Sequence, residues 1–155
     1  MALTLDPSLL SSLSGSTAIV TGGANGIGLE VVRIYSSHGA NVVIADLENA
    51  RSSAEAAIGS LHDSSRAIFV PVNIVAFEEV RRLFLTTIER FGRVDIVVAN
   101  AGIMETTRFF DFSVNEASEL EEDSAGRVID VNLKGSMNSM YVLSWNDSYL
   151  PYLSA

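Results

Sequence analysis

The sequence predicts an α/β fold, an incomplete doubly wound parallel sheet of about four strands in the order 3-2-1-4. Three observations lead to this prediction. Short apolar runs alternate with segments of helical periodicity from Ser16 onward, glycines join the first run to the first helical segment, and glycines end the clearest helices. Such alternation is typical of βαβ units, in which helices cover a parallel sheet.

The strands are predicted from short apolar runs that are rich in β-branched residues. These runs cover residues 17–20, 41–45, 67–72 and 94–99. Pro71 interrupts the third run. Because proline has no amide hydrogen to donate, Pro71 is expected at a strand end or at an edge of the sheet.

The helices are predicted from apolar residues that recur every three or four positions. They cover residues 26–38, 50–58 and 77–91, and a last helix begins near residue 125. Gly39 and Gly92 follow the first and third helices, where a left-handed C-cap belongs.

Two segments of the second half are less regular. Residues 104–124 predict a loop with a short helix. The polar residues 144–148 are expected to interrupt the last helix, and Pro151 is expected to prevent its simple continuation.

Composition limits the class of protein. The chain has 155 residues, 48% of them hydrophobic, which suffices for one domain with its own core. The absence of cysteine excludes disulfides and thiolate metal sites and fits a reducing compartment. The first residues do not resemble a signal or transit peptide, and no run reaches the roughly 20 apolar residues that span a bilayer. A soluble, cytoplasmic protein is therefore expected.

The charge of the chain disfavours two classes of partner. Ten basic residues against nineteen acidic residues give a net charge of −9. This charge repels nucleic acid and anionic membrane surfaces at long range, so neither is expected as a partner.

The segment between the first strand and the first helix carries the strongest functional signal. It reads Thr-Gly-Gly-Ala-Asn-Gly-Ile-Gly from Thr21 to Gly28. Glycines let the backbone turn sharply and approach a pyrophosphate, and the helix N-terminus supplies free amides and partial positive charge. On its own, such a cluster also fits an ordinary strand-to-helix turn.

Further residues, in order along the chain, give the sequence its resemblance to the short-chain dehydrogenase/reductase family. The glycine spacing Thr-Gly-x-x-x-Gly-x-Gly differs from the commoner Gly-x-Gly-x-x-Gly. Asp46 ends the second strand, about 20 residues beyond the glycines. Asn100-Ala101-Gly102 follows the fourth strand and resembles the family's Asn-Ala-Gly motif. Asn132 matches the asparagine of the family's catalytic tetrad.

The resemblance implies roles for these residues. Thr21 would brace the turn after strand one, and Asp46 would accept hydrogen bonds from the adenosine ribose. Asn100 would lie near the nicotinamide ribose, with Ala101 and Gly102 beside the cofactor. The residues implied around the pyrophosphate are Gly22, Gly26, Ile27 and Gly28.

The resemblance also implies a domain organisation. A Rossmann-like NAD(P)-binding domain would cover residues 16–143, after an N-terminal extension over residues 1–15. Residues 144–155 would form a divergent C-terminal tail.

The expected cofactor is NAD, in preference to NADP. A 2′-phosphate carries close to two negative charges and would be repelled by Asp46. Asn25 and Leu47 occupy positions where NADP-dependent relatives often place Arg or Lys. Asn73 ends strand three, where the family usually has an aspartate facing adenine, and its carbonyl can accept a hydrogen bond from the adenine amino group.

The catalytic residues of the family are mostly missing. The reaction needs a tyrosine as general acid and base, and a lysine four residues later that lowers the tyrosine pKa. None of the four tyrosines precedes a lysine at this spacing, since Lys134 is the only lysine in the sequence. Of the tetrad, only Asn132 is present. His38 and His62 are expected at the surface, and no metal site is indicated.

The resemblance implies an NAD(P)-dependent oxidoreductase that oxidises a hydroxyl or reduces a carbonyl of an unidentified small molecule. Without the tyrosine and lysine, this chain is expected to be inactive alone. Two alternatives stay open: a catalytically inactive nucleotide-binding or interaction module that pairs with a full-length relative, and a truncated gene product. The exposed outer edge of the fourth strand is expected to favour association.

Overall fold

The computed structural model describes residues 7–104 and 125–153. Four parallel strands form one sheet in the order β3-β2-β1-β4. They are β1 (Thr17–Thr21), β2 (Asn41–Asp46), β3 (Ala67–Pro71) and β4 (Ile96–Val98). Ile19 of β1 pairs with Val43 of β2 on one side and with Val97 of β4 on the other. The predicted fold class and strand order are confirmed.

Helices connect and follow the strands. They are α1 (Gly26–Ser37), α2 (Arg51–Gly59), α3 (Phe77–Phe91), α4 (Ala125–Ile129) and α5 (Ser136–Leu153), with a π-helical segment, Asp130–Gly135, between the last two. Short 3₁₀ segments cover Pro7–Leu13, Glu48–Ala50 and Ser64–Arg66. Gly39 and Gly92 both have φ of +81°, as the sequence predicts for the ends of α1 and α3.

The sheet buries both of its faces, because successive side chains of a strand point in opposite directions. Val20 and Ile44 face α1 and α2, where they pack with Val32 and Ala54. The opposite face packs against α3 and α5. Its buried residues include Ile19, Val43, Val80, Leu83, Phe84 and Val142. Helices on both faces are what a doubly wound sheet requires.

The strand ends differ slightly from their predicted bounds. β4 stops at Val98 because the amide of Asn100 turns back, donating to the Val98 carbonyl at 2.9 Å and to the Thr21 hydroxyl at 3.0 Å. Pro71 is the last residue of β3, which is an edge strand. Its expected place is confirmed.

The predicted interruption of the last helix is wrong. α5 continues through residues 144–148 and includes Pro151 before it ends at Leu153. Serine, asparagine and aspartate each cost at most about 0.7 kcal/mol relative to alanine in a helix. A helix that has already formed gains one hydrogen bond for each residue added, so these costs do not stop it.

Two further expectations, the loop at residues 104–124 and the lack of a membrane-spanning segment, can be compared with the structure only in part. Apart from Met104, the predicted loop at residues 104–124 lies outside the described residues. Within residues 7–104 and 125–153, no helix combines the length and apolarity needed to cross a bilayer.

Gly135, at the end of the π-helical segment, packs against Ile74 in the loop after β3. A Cβ atom on Gly135 would lie 2.5 Å from Ile74 Cδ1 and 2.6 Å from Ile74 Cγ1. Contacts this short require one side to move. The helix can therefore lie against Ile74 only because residue 135 has no side chain.

We expect Gly135→Ala to lower the free energy of unfolding by about 1–3 kcal/mol, because it overpacks this contact. Ile74→Val removes Cδ1 and should recover part of the loss in the double variant. Urea unfolding curves of the four proteins measure the coupling.

The matched control is Gly126→Ala, in α4, where a Cβ would meet nothing within 4 Å. Helix propensity alone should make this variant as stable as the wild type or up to about 1 kcal/mol more stable. Equal effects of the two glycine substitutions would contradict the packing argument.

Candidate functional site

A cleft of about 690 Å³ opens at the carboxyl ends of the strands. Its volume lies in the range of small-molecule and cofactor sites. In parallel α/β sheets, ligands bind at this edge, where the chain leaves β1 in one direction and β4 in the other. Eight of the predicted residues line the cleft: Gly22, Gly26, Ile27, Asp46, Asn73, Asn100, Ala101 and Gly102.

Thr21 lies behind the cleft and joins the ends of two strands. It is buried, and its hydroxyl accepts hydrogen bonds from the amides of Asn100 and Ala101 at 3.0 and 3.1 Å. The same hydroxyl donates to the Val98 carbonyl at 3.3 Å. These three bonds hold the segment after β4 against the end of β1.

Asn100 extends this connection to the glycine turn. Its Nδ2 donates to the carbonyls of Thr21 and Gly22, at 3.0 and 3.3 Å. The amide nitrogen of this side chain is therefore used within the protein. The side chain also borders the cleft.

The glycines permit a tight junction between β1 and α1. A Cβ on Gly28 would lie 2.2 Å from the Gly22 carbonyl oxygen, so no other residue fits without a backbone shift. Gly22 and Gly26 have φ of +65° and +55°, in the left-handed region that favours glycine. This turn brings the first turn of α1 to the cleft, where Gly26 and Ile27 form part of the wall.

The N-terminus of α1 suits an anion. The first amides of a helix have no acceptor within the helix, and they carry partial positive charge. Here Asn25, the N-cap residue, makes no capping bond with its side chain, and the first turn contains no acidic residue. The terminus thus lacks the usual internal anion or cap and can receive a phosphate group.

Asp46, the last residue of β2, presents its carboxylate to the cleft. Oδ2 accepts a hydrogen bond from the Ala24 amide at 3.1 Å, and Oδ1 accepts one from the Leu47 amide at 2.8 Å. A carboxylate offers about four acceptor positions. The remaining positions can accept hydrogen bonds from two neighbouring hydroxyl groups.

The first basic residue after Asp46 in the sequence is already paired. Arg51 donates from Nε to Glu48 at 2.6 Å and lies 3.5 Å from a Glu55 oxygen. The hydrogen bond from Arg51 lowers the pKa of the Glu48 carboxyl. Arg51 is thus committed to two carboxylates of its own neighbourhood.

Asn73 lines the cleft, but its side-chain carbonyl is engaged. Oδ1 accepts a hydrogen bond from the Val75 amide at 3.1 Å, which forms a local turn. The backbone amide of Asn73 donates to Glu79 Oε2 at 2.7 Å. Contact between Asn73 and an adenine amino group would therefore use the second acceptor position of Oδ1.

Asn132 lies in the π-helical segment but does not line the cleft. Its Oδ1 accepts from the Ile103 amide at 2.8 Å, and its Nδ2 donates to the Ile103 carbonyl at 2.9 Å. This pair of bonds ties the helix to the segment that follows β4. The neighbouring residues Asp130 and Val131 reach the cleft instead.

Sequence reasoning missed several residues of the lining. Ile74 and Ile103 adjoin the predicted residues Asn73 and Gly102, and that adjacency could have indicated them. Arg127 and Asp130 come from a helix whose rotation a single sequence does not reveal. Asn138 fixes that helix, since its Nδ2 donates to the carbonyls of Ile74 and Val75 at 2.9 and 3.3 Å.

Metal binding has no structural support in the described part of the chain. Residues 7–104 and 125–153 contain no group of three or more His, Cys, Asp or Glu that could hold a metal ion.

Relatives with solved structures share the fold. A short-chain dehydrogenase/reductase of Brucella melitensis, described as a glucose/ribitol dehydrogenase, superposes with a TM-score of 0.72 at 26% identity, covering 86% of this chain and 52% of that one. A 3-ketoacyl-(acyl-carrier-protein) reductase from the same organism, solved in complex with NADH, superposes with a TM-score of 0.70 at 28% identity, covering 86% and 51%.

Sequence comparison gives the same result. A short chain dehydrogenase/reductase of Aspergillus oryzae is 37% identical over 124 residues, which cover 80% of this chain and 45% of the relative. The 3-hydroxyacyl-CoA dehydrogenase type-2 of Rattus norvegicus is 34% identical over 128 residues, covering 82% and 46%. The chain thus spans about half the length of these relatives. Residues 16–145 match the sequence model of the short chain dehydrogenases, and the chain belongs to this family.

Proposed function

We propose that this chain provides the NAD-binding part of an oxidoreductase that oxidises a hydroxyl group or reduces a carbonyl group of a small molecule. The observation that carries the proposal is the cleft itself. Around one cavity it combines an uncapped helix N-terminus, the Asp46 carboxylate and Asn100. A relative solved with NADH supports the choice of a nicotinamide cofactor.

The residues of the cleft fit a dinucleotide. The N-terminus of α1 would hold the pyrophosphate, and the free acceptor positions of Asp46 would receive the hydroxyls of the adenosine ribose. Asn73 and Leu47 would adjoin the adenine, and Asn100 would adjoin the nicotinamide ribose. When bound, NAD supplies a hydride acceptor.

The role proposed for Asn132 is to position other groups. Both polar atoms of its side chain are bound to the Ile103 backbone. Asn132 would therefore act by fixing the helix of residues 125–153 beside the segment that carries Asn100 to Gly102.

NAD is proposed in preference to NADP because no basic residue pairs with Asp46 in the part of the chain that the structure describes. Arg51 is paired with Glu48 and Glu55. Arg127 is the only basic residue that lines the cleft in the described part of the chain, and it is accompanied by Asp130. A 2′-phosphate near Asp46 would bring close to two further negative charges to this site.

We expect Asp46→Arg to lower the ratio of NAD affinity to NADP affinity by about tenfold or more. Each unit charge a few ångströms away is worth about 1 kcal/mol even in water, and the substitution reverses the sign. Calorimetric titration of both cofactors measures the ratio.

Asp130→Arg is the control, because it makes the same change of charge elsewhere in the cleft. It should alter both affinities together and leave their ratio within about twofold. If Asp46→Arg leaves the ratio of NAD affinity to NADP affinity unchanged, Asp46 does not select the cofactor.

A polypeptide of residues 1–155 should bind NAD but not turn it over. The expected result is no NADH formation above the buffer rate with a panel of secondary alcohols, because the sequence has no tyrosine with a lysine four residues later. Absorbance at the NADH band follows the reaction. Turnover that Asn132→Ala abolishes would reveal an active site different from the family's.

The same polypeptide should be only marginally stable and prone to associate. β4 forms an edge of the sheet and is partly exposed, so its unpaired backbone groups can join a second copy or a full-length relative. We expect thermal unfolding below about 60 °C and a sedimentation coefficient that rises with concentration. A cooperative melt of a monomer above that temperature would contradict both expectations.

A further inference from the structure

We propose that Asp46 has a second task, which is to hold the glycine turn in the shape that receives a pyrophosphate. The ribose-binding and phosphate-binding parts of the cleft would then be coupled through one side chain. This inference rests on the proposed function, because it concerns the same cleft.

The coupling is visible in the hydrogen bonds of the turn. Ala24, at its centre, is fully buried and donates its amide to Asp46 Oδ2 at 3.1 Å. Gly22 donates its amide to the Ala45 carbonyl at 2.8 Å. On the opposite side, Asn100 donates to the carbonyls of Thr21 and Gly22. Hydrogen bonds thus hold the turn to the end of β2 on one side and to the segment after β4 on the other.

The bond from Ala24 differs from its neighbour because it depends on a side chain. The bond between Gly22 and Ala45 joins two backbone groups, so it does not depend on the side chain at position 46. Removal of the Asp46 carboxylate would leave a buried amide without an acceptor, which is costly. The turn would move to satisfy it, and Gly26, where φ is +55° and a Cβ would meet nothing within 4 Å, leaves room for such movement.

The carboxylate is itself fixed, since its other oxygen accepts from the Leu47 amide at 2.8 Å. Each oxygen therefore makes one protein bond and keeps room for a ligand hydroxyl. Occupation by a ribose would restrain the carboxylate further, and through Ala24 it would restrain the turn. The affinity of the turn for an anion should therefore depend on Asp46 even when the anion does not contact the ribose site.

Two substitutions separate this role from simple electrostatics. Asp46→Asn and Asp46→Ala both remove a negative charge, which by itself favours anion binding. Asparagine keeps a carbonyl that can accept from Ala24, whereas alanine keeps no acceptor. The probe is inorganic pyrophosphate, titrated into ¹⁵N-labelled polypeptide of residues 1–155 and followed by NMR, together with hydrogen exchange of the Ala24 amide.

We expect Asp46→Asn to bind pyrophosphate as well as or better than the wild type. Asp46→Ala should bind it about tenfold more weakly, and its Ala24 amide should exchange about tenfold faster, since bonds to charged groups have this magnitude. Equal pyrophosphate affinity in both variants, or unchanged exchange of Ala24 in Asp46→Ala, would overturn the proposal.

Asp63→Ala is the matched control. Asp63 also accepts a backbone amide, that of Ser65 at 3.0 Å, but in an exposed turn that is not part of the cleft. This variant should leave pyrophosphate affinity and Ala24 exchange within about twofold of the wild type. A change as large as that of Asp46→Ala would show a general loss of stability instead of a local anchor.

A measurement on the wild type needs no variant and remains decisive if Asp46→Ala does not fold. Saturating adenosine, which has no phosphate, should slow the exchange of the Ala24 amide and tighten pyrophosphate binding, and 2′-deoxyadenosine should do so less. Independent binding of adenosine and pyrophosphate would overturn the coupling. Absence of all adenosine, pyrophosphate and NAD binding would instead refute the proposed function, while Ala24 exchange in Asp46→Ala would still test the anchor.

Discussion

The approach of α1 to the end of β1 is the constraint on which the cleft depends. A Cβ on Gly28 would overlap the Gly22 carbonyl at 2.2 Å, so the helix can start where it does only with glycine at that position. That start directs the first turn of α1 toward the carboxyl ends of the strands. The central place of β1, between β2 and β4, then puts side chains from both neighbours on either side of the turn. The position of α1 beside the cleft therefore depends on this packing contact.

The polar residues at this edge of the sheet make hydrogen bonds within the protein even without a ligand. Thr21 and Asn100 join the ends of β1 and β4, and Asp46 joins β2 to the glycine turn. Asn100 and Asp46 use only part of their hydrogen-bonding capacity in doing so, whereas the Thr21 hydroxyl, which donates once and accepts twice, is fully used. A site built in this way is preorganised, because its groups are held by the fold and need little ordering when a ligand binds. Substitution of these residues should therefore change both stability and binding.

The features that could be predicted from the sequence are those determined by local pattern. The apolar runs predicted the strands, Gly39 and Gly92 predicted two helix ends, and the motif residues predicted eight of the eighteen described residues that line the cleft. Contacts between distant segments could not be predicted in this way. The pairing of Asn132 with Ile103 joins positions 29 residues apart, and it depends on the rotation of a helix that contains a π-helical segment. The same rotation decides that Arg127 and Asp130 reach the cleft.

The last helix shows that a local pattern can also predict a feature that the structure does not have. Its polar residues and Pro151 predict the end of a helix, yet α5 continues to Leu153. The polar residues cost at most about 0.7 kcal/mol each, and the growth of an existing helix outweighs these costs. Pro151 lies in the last turn, two residues before the helix ends. Asn73 is a second case, since it lines the cleft while its side-chain carbonyl accepts a hydrogen bond from the Val75 amide, which the sequence did not predict.

Charge adds a final condition on any phosphate ligand of this cleft. The chain carries a net charge of −9, so its long-range field opposes the approach of an anion. The attraction must therefore come from groups at contact distance, and the N-terminus of α1 supplies backbone amides there, with no side-chain cap from Asn25 and no acidic residue in the first turn. The field of these amides falls off within the first turn of the helix, so the phosphate must lie in contact with them. Arg127 is the only basic side chain that lines the cleft in the described part of the chain, so phosphate binding depends strongly on these amides and on the position of the glycine turn.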